Sequence, residues 1–183
     1  LLKKNKVEVI KGFGRLLGDG RVNVARDKAS SINLSAQNII IASGARAKNL
    51  NGLEPDGELI WTYKEAMTPD IMPKKLLVVG SGAIGVEFAS FYNTLGAKVT
   101  VIEVLPSILP TEDIEISELA RKLFEKDGID FITKAKLTSF KKKKETLTAL
   151  INIEEKAHEL DFDRVIMAVG IQGNHENLGL ENT

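Results

Sequence analysis

The chain has no cysteine and only two histidines among its 183 residues. A chain without cysteine has no disulfide, no thiolate nucleophile and no cysteine-based metal site. The histidines, His158 and His175, lie in different segments without metal-ligand spacing, so we interpret both as surface residues rather than as ligands or bases. The sequence therefore predicts neither a metal site nor a catalytic group.

The sequence also has no excess of positive or negative charge and no long apolar stretch. The 25 basic and 25 acidic residues cancel, so neither nucleic acid nor an anionic membrane is an expected partner. No apolar run approaches the roughly 20 residues of a membrane span. The basic run 141–144 is followed by Glu145 and predicts a solvated hairpin turn. Because the chain does not begin with Met, we expect it to be a fragment of a longer protein.

What the chain does contain is a glycine-rich turn between an apolar run and a helical pattern. The turn fits G-x-G-x-x-G, and its residues are Gly80, Ser81, Gly82, Ala83, Ile84 and Gly85. The apolar run 76–79 precedes it, and a second apolar run, 99–102, follows the helical pattern. Glu103 ends that second run, at close to the spacing from the first glycine at which an acidic side chain reaches an adenosine ribose.

The residue types of this segment suit a dinucleotide. Gly80 allows a tight turn, Gly82 lets backbone approach a pyrophosphate, and Gly85 lets helix and strand pack closely. The helix N-terminus presents unpaired N–H groups to the phosphates. Glu103 accepts hydrogen bonds from ribose hydroxyls and repels a 2′-phosphate, and no arginine follows it at 104–105. We interpret the segment as an NAD(H) site; the alternative is a doubly wound domain whose glycine turn binds nothing.

Hydrophobic periodicity along the chain predicts an α/β fold, a doubly wound, Rossmann-like parallel sheet with an antiparallel β-meander. The predicted strands are 7–10, 21–24, 38–41, 76–79, 99–102, 129–132, 146–153, 158–162 and 164–170. Small residues at 42–45, after the third of these strands, indicate either a close backbone approach to a ligand or a tight turn.

Three helices are predicted between these strands. Thr62 and Glu65 form a capping box for a short helix that ends at Met67. The helix after the glycine turn is expected to bury Ile84, Phe88, Phe91 and Leu95. The third helix is capped by Asp113 and ended by Gly128, and its expected buried face consists of Ile116, Leu119, Ala120, Leu123 and Phe124.

The motifs together resemble the NAD domain of the flavoprotein disulfide reductases, and within them the dihydrolipoamide dehydrogenases. The resemblance is carried by residues 76–88, 99–103, 108–113 and 166–181, and it covers essentially the whole chain. It implies an FAD/NAD(P)-binding fold divided into three parts. Residues 1–45 would be trailing strands of an interrupted FAD domain, 46–170 the NAD domain, and 171–183 the start of the return to the FAD domain.

The resemblance also implies roles for individual residues. The NAD contacts would be Gly80, Ser81, Gly82, Ala83, Ile84, Gly85, Val86, Glu87, Glu103, Leu137 and Gly170. Among them, Glu87 would lie near the nicotinamide and flavin, Leu137 would contact adenine, and Gly170 would lie on the nicotinamide side. The FAD contacts would be Gly14, Ser43, Gly44 and Ala45, with Ser43 in the place of the family's Thr.

The activity implied for the parent protein is oxidation of protein-bound dihydrolipoamide through a disulfide and FAD, with reduction of NAD⁺. The implied partners are NAD(H), the lipoyl domain of a 2-oxo acid dehydrogenase complex and a second identical subunit, in the bacterial cytoplasm or the mitochondrial matrix.

The family's FAD glycine loop, cysteine pair and His-Glu pair are absent, and Ile171 and Gly173 replace its Arg and Pro. We therefore expect the chain alone to be inactive. The alternatives are another NADH-dependent disulfide reductase, of the mercuric or glutathione type, and a stand-alone NAD-binding regulatory module.

Overall fold

The computed structural model describes residues 1–27 and 29–183, which form two compact units. Unit 1 comprises residues 1–46 and 173–183, and unit 2 comprises residues 47–172. The strands are β1 (Phe13–Gly18), β2 (Arg21–Arg26), β3 (Ala29–Ser35), β4 (Ala45–Ala47), β5 (Ile60–Trp61), β6 (Lys75–Val79), β7 (Lys98–Ile102), β8 (Asp130–Ile132), β9 (Ala135–Lys142), β10 (Leu147–Ile153), β11 (Lys156–Phe162), β12 (Arg164–Met167) and β13 (Ile171–Gly173). The helices are α1 (Tyr63–Met67), α2 (Ala83–Thr94) and α3 (Ile114–Lys126), with 3₁₀ turns at Lys3–Asn5 and Leu180–Asn182.

Unit 2 is built on a parallel sheet with the strand order β5-β12-β6-β7-β8. β6 pairs with β7 from Lys75↔Lys98 to Val79↔Ile102, and α2 connects the two strands. The interior of the sheet is apolar on both faces, as the continuous runs 76–79 and 99–102 require. The predicted α/β class, with a Rossmann-like parallel sheet and an antiparallel meander, is confirmed.

The two faces of this sheet are covered by different layers. The helices contribute Ala66, Val86, Ala89 and Tyr92 to a core cluster on one face. An antiparallel meander, ordered β11-β10-β9, contributes Leu147, Ala149, Ile151 and Phe162 to the cluster on the other face. At the meander's edge, three lysines of the basic run form ion pairs, which are Lys141–Glu159, Lys142–Asp56 and Lys143–Asp161.

The stripe predicted to be buried on α2 is wrong. Phe91 and Leu95 are 51% and 54% exposed, and the buried residues of the helix are Gly85, Val86, Ala89 and Tyr92. Gly85 and Ala89 are small and let the helix approach the sheet closely. Tyr92 is large but fully buried, and its hydroxyl donates to the carbonyl of Ala66 at 2.7 Å. Ile84 and Phe88, from the predicted stripe, are only partly buried.

The face predicted for α3 is also largely wrong. Ile116, Leu119 and Leu123 are 55%, 54% and 53% exposed. Ser117 is buried instead, and Ala120 and Phe124 pack partly against the core. The predicted caps are present, because Thr62 and Glu65 form the capping box of α1 and Asp113 accepts from the backbone N–H of Glu115 at the start of α3.

Unit 1 contains an antiparallel sheet, β1-β2-β3, with a thin apolar interior. Leu16 and Val24 are buried, and the backbone N–H of Leu16 also donates to the carbonyl of Leu178 at 2.7 Å. The strands predicted at 7–10 and 38–41 are wrong, since both segments are irregular. Most of their apolar side chains are exposed, Ile40 by 90%. Among the described residues, neither segment pairs with a strand.

Across the residues that the structure describes, none of the helices is both long enough and apolar enough to cross a membrane.

Candidate functional site

A cavity of about 600 Å³ opens at the carboxyl ends of β6, β7 and β12 in unit 2. Ligands of doubly wound folds bind at this edge of the sheet. The lining residues are Leu50, Val79, Gly80, Ser81, Gly82, Ile102, Glu103, Val104, Pro110, Thr111, Ala135, Lys136, Leu137, Ala168, Val169 and Gly170. The structure thus brings together the predicted NAD residues Gly80, Ser81, Gly82, Glu103, Leu137 and Gly170.

Two glycines of the turn are required by the fold itself. Gly80 has a φ of +100°, and a Cβ there would lie 2.5 Å from the carbonyl oxygen of Ala168. A Cβ on Gly85 would lie 2.0 Å from the carbonyl oxygen of Gly80, where real contacts do not occur. Both positions therefore keep glycine for packing between the turn, α2 and β12.

Gly82 differs from these two glycines. Its φ is −68°, which any residue adopts, and a Cβ there would meet nothing within 4 Å. It is the N-cap of α2 and has no side chain to satisfy the first N–H groups of the helix. The fold thus leaves open space beside unpaired backbone donors, which is the arrangement that accommodates a phosphate.

Glu103 is the buried acidic residue at the end of β7. The residue is only 8% exposed, and both oxygens of its carboxylate accept hydrogen bonds. Oε2 accepts from the backbone N–H and the hydroxyl of Ser81 at 2.9 and 2.8 Å, and Oε1 accepts from the backbone N–H of Leu105 at 2.9 Å. The carboxylate is therefore held at the glycine turn by neutral donors.

The remaining predicted NAD residues lie on α2 outside the cavity lining. Gly85 and Val86 are buried against the sheet, while Ala83 and Glu87 are exposed and Ile84 is intermediate. The first helical bond of this segment runs from the N–H of Val86 to the carbonyl of Gly82. Ala83 and Ile84 lie in the N-terminal turn of α2, and the exposed carboxylate of Glu87 lies one turn further along the helix.

Several lining residues were missed by sequence reasoning. The start of β9 lies beside the end of β7, because the N–H of Ala135 donates to the carbonyl of Glu103 and that of Lys134 to the carbonyl of Leu105. This places Lys136 in the wall. Leu50 also lines the cavity. It lies two residues after Lys48, whose backbone N–H donates to the carbonyl of Gly170. These contacts join distant parts of the chain, so local spacing carries no signal for them.

The predicted FAD residues lie in unit 1. Gly14 sits in β1 opposite Val24. The turn at Ser43 and Gly44 makes two hydrogen bonds to Asn174. The hydroxyl of Ser43 donates to the backbone carbonyl of Asn174, and the backbone N–H of Asn174 donates to the carbonyl of Gly44 at 2.9 Å. Gly44 has a φ of +77°, so the turn itself requires glycine there, and Ala45 begins β4.

A charged pair follows this turn in the same unit. The guanidinium of Arg46 donates to both carboxylate oxygens of Glu176. This side-chain hydrogen bonding lowers the pKa of Glu176 to about 2. His175 is exposed and lies 4.0 Å from Glu176. In the part of the chain that the structure describes, no three His, Cys, Asp or Glu residues cluster as a metal site would require.

The family model described as pyridine nucleotide-disulphide oxidoreductase matches residues 1–183. The chain is 46% identical over 196 residues to the dihydrolipoyl dehydrogenase of Rhizobium etli, covering 99% of this chain and 41% of that protein. It is 47% identical over 182 residues to the dihydrolipoyl dehydrogenase of Zymomonas mobilis, covering 99% and 39%. The chain therefore spans about 40% of the length of these relatives.

Solved structures show the same architecture. LpdA from Mycobacterium tuberculosis is 28% identical with a TM-score of 0.87, and the match covers 100% of this chain and 40% of that one. The HOCl-induced flavoprotein disulfide reductase RclA from Escherichia coli is 24% identical with a TM-score of 0.84, covering 100% and 41%. At 24% identity the second likeness concerns the fold alone.

Proposed function

Because the chain belongs to the pyridine nucleotide-disulphide oxidoreductase family, we propose that it is the NAD-binding part of a dihydrolipoyl dehydrogenase. The parent oxidises protein-bound dihydrolipoamide through a disulfide and FAD and reduces NAD⁺. Support comes from relatives of that name at 46% and 47% identity along 99% of this chain. In the parent, FAD supplies the redox step between the dithiol and the nicotinamide.

One observation supports the binding role above the others, the open space at Gly82. A glycine with an ordinary φ and no neighbour for a Cβ is unexplained by packing. Close approach of a pyrophosphate explains it, since a side chain at this position would stand between the backbone donors and the phosphates. The α2 N-terminus adds the positive end of the helix dipole.

The other lining residues take roles along the length of the cofactor. Glu103 accepts hydrogen bonds from the adenosine ribose, and Leu137 packs against adenine. Gly170 contacts the nicotinamide side, and Glu87 lies near the nicotinamide and flavin in the parent. Gly14 and the turn 43–45 contact FAD there, with residues 1–45 and 171–183 belonging to the FAD domain and 46–170 to the NAD domain.

The cofactor of this site is NAD(H) in preference to NADP(H). The 2′-phosphate of NADP(H) would approach the Glu103 carboxylate, which is buried and hydrogen-bonded. Val104 and Leu105 follow it instead of an arginine that would pair with a phosphate. The parent's partners are a second identical subunit and the lipoyl domain of a 2-oxo acid dehydrogenase complex, in a bacterial cytoplasm or a mitochondrial matrix.

The binding role is tested by Gly82→Ala, measured by calorimetric titration with NADH. We expect wild type to bind and Gly82→Ala to bind at least about tenfold more weakly, because the methyl group displaces the pyrophosphate. The variant should stay folded and lose no more than about 1 kcal/mol of stability, because its Cβ meets nothing within 4 Å and alanine is a poorer N-cap than glycine. Gly173→Ala is the matched control, because a Cβ there also meets nothing and the position does not line the cavity.

The proposal fails if wild type does not bind NADH, or if Gly82→Ala binds it as tightly as wild type. Turnover gives a second test. The chain has no cysteine, so dihydrolipoamide should not drive NAD⁺ reduction, and purified protein should show no stoichiometric flavin band. Turnover above background by this chain would contradict the assignment of the dithiol chemistry to the rest of the parent.

A further inference from the structure

Ser81 connects the glycine turn to two other segments of the cavity wall. Its side chain is fully buried, and its hydroxyl donates to Oε2 of Glu103 at 2.8 Å. Its carbonyl accepts from the backbone N–H of Leu109 at 2.9 Å. The hydroxyl therefore faces the end of β7, while the backbone holds the segment that leads to α3.

The turn itself gives no reason for a hydroxyl at this position. The steric demands fall on Gly80 and Gly85, and the backbone N–H of Ser81 already binds Glu103 at 2.9 Å. An alanine would keep that backbone bond and the bond to Leu109. What only the serine side chain adds is a second donor to the same carboxylate oxygen.

We propose that Ser81 is a specificity-determining positioning residue, whose hydroxyl fixes the Glu103 carboxylate in the orientation that binds the ribose and rejects a 2′-phosphate. This inference rests on the proposed NAD-binding function. Ser81 acts through Glu103, and its hydroxyl does not itself bind the cofactor.

Counting acceptor positions supports this division of roles. A carboxylate offers about four lone-pair positions. Ser81 occupies two on Oε2, and Leu105 occupies one on Oε1. Oε1 therefore keeps the remaining position for a ribose hydroxyl, and the carboxylate is held before the cofactor arrives, which reduces the ordering cost of binding.

The same restraint sharpens discrimination against NADPH. A carboxylate free to rotate could turn away from a 2′-phosphate and relieve part of the repulsion. Three hydrogen bonds prevent that rotation, so the phosphate meets a fixed negative charge. Removing the hydroxyl should therefore weaken NADH binding and at the same time reduce the penalty for NADPH.

A double-mutant cycle with Ser81→Ala and Glu103→Ala tests this coupling in the 183-residue chain, with NADH and NADPH titrated by calorimetry. We expect Ser81→Ala to weaken NADH binding by about three- to tenfold, the range of one net hydrogen bond, and to narrow the ratio of NADH to NADPH affinity. In the Glu103→Ala background the same change should alter NADH affinity by less than about twofold.

Thr148→Val is the matched control. Thr148 is also buried, and its hydroxyl also donates to a carboxylate, that of Asp161, but it lies in β10 and does not line the cavity. The variant should lose stability without changing the NADH to NADPH ratio. If Ser81→Ala and Thr148→Val changed the ratio of NADH to NADPH affinity equally, the effect would come from deleting any buried hydroxyl. That result would overturn the proposal.

The outcomes separate the two levels of inference. If wild type does not bind NADH, the proposed function fails and this inference fails with it. If wild type binds NADH and Glu103→Ala weakens binding, but Ser81→Ala has no effect or the same effect in both backgrounds, only the role of Ser81 is wrong. Unequal effects in the two backgrounds, together with a narrowed cofactor ratio, support it.

Discussion

Units 1 and 2 place their apolar residues differently. In unit 2, two core clusters cover the two faces of the parallel sheet, and the sheet residues Leu76, Leu77 and Val78 are fully buried. In unit 1, Leu16 and Val24 are buried, while Ile39, Ile40 and Ile41 are 39%, 90% and 49% exposed. An apolar run thus becomes a strand where partner strands and a covering layer are present, and it stays irregular where they are not.

The largest expected consequence of this contrast is in amide exchange. Amides of β6 and β7 should exchange at least about a thousandfold more slowly than those of 8–12 and 37–43, because only the former require a large opening of the sheet. Hydrogen exchange with mass spectrometry measures this, and β1 and β2 should be intermediate. Uniformly strong protection across the monomer would contradict the contrast, and a dilution series tells such protection from self-association.

The same contrast explains which features were predictable from sequence. The strand β6, the glycine turn and the position of Glu103 at the end of β7 were predictable, because they depend on local sequence pattern and spacing. The hydrogen bonds from Ser81 to Glu103 join residues 22 apart and were not predictable in this way. The run 38–41 looks equally strand-like in sequence, but a strand needs hydrogen-bonded neighbours. No local pattern shows whether those neighbours are present.

The two helices show a second limit of sequence patterns. On α2 and α3 several large apolar residues, such as Phe91 and Leu119, lie exposed, and the buried positions include small residues such as Ala89 and Ser117. The largest buried side chain of α2 is Tyr92. The periodicity correctly predicts helices, whereas the choice of buried face depends on how closely the helix approaches the sheet. For α2 that approach is set by Gly85, whose Cβ would collide with the turn.

Gly85→Ala should give the largest stability loss among the substitutions considered. Its Cβ would lie 2.0 Å from the carbonyl oxygen of Gly80 and 3.0 Å from its carbonyl carbon. Relief requires backbone movement between α2 and the turn, at a cost of about 3 kcal/mol in the free energy of unfolding. Urea unfolding measures the change.

Gly14→Ala in unit 1 is the matched control for that substitution. A Cβ on Gly14 would make an ordinary contact with Val22 at 3.6 Å, and alanine suits a strand better than glycine does. We expect a change within about 0.5 kcal/mol. If the two variants lost equal stability, the close packing of the glycine turn in unit 2 would not be what distinguishes the two positions.

Glu103→Ala should have a smaller effect, which falls on cofactor binding by unit 2 and also on stability, because the donors from Ser81 and Leu105 lose their acceptor. NADH binding should weaken by about 1 to 3 kcal/mol, the range for a lost charged hydrogen bond. The difference between the binding free energies of NADH and NADPH should narrow. Calorimetric titration measures both. Glu103→Gln keeps an acceptor without the charge, so it should lose less NADH affinity while still narrowing the gap. Unchanged selectivity in either variant would show that Glu103 does not set the cofactor preference.

The smallest effect expected is a pH-dependent one at Asp56, in the loop of unit 2 before β5. Its Oδ1 accepts from the backbone N–H groups of Glu58, Leu59 and Ile60, and its Oδ2 accepts from Lys142 at 2.7 Å. Burial raises the pKa of Asp56, but the hydrogen bond from Lys142 and the three backbone bonds outweigh it and lower the pKa to about 2.

A folded-state pKa of about 2 lies below the unfolded value of about 3.9. The ionised Asp56 therefore stabilises the fold fully above about pH 4, and this contribution is lost as the pH falls through about 2. Asp56→Asn should lower the free energy of unfolding by about 1 kcal/mol at pH 7, and the difference from wild type should shrink as the pH falls from 4 towards 2. Lys142→Gln, which leaves the backbone bonds of Asp56 in place, should lose less. Urea unfolding of the three proteins at pH 7, 4 and 3 measures the trend. If the free energies of unfolding of Asp56→Asn and wild type differed by the same amount at all three pH values, the charge of Asp56 would not stabilise the loop.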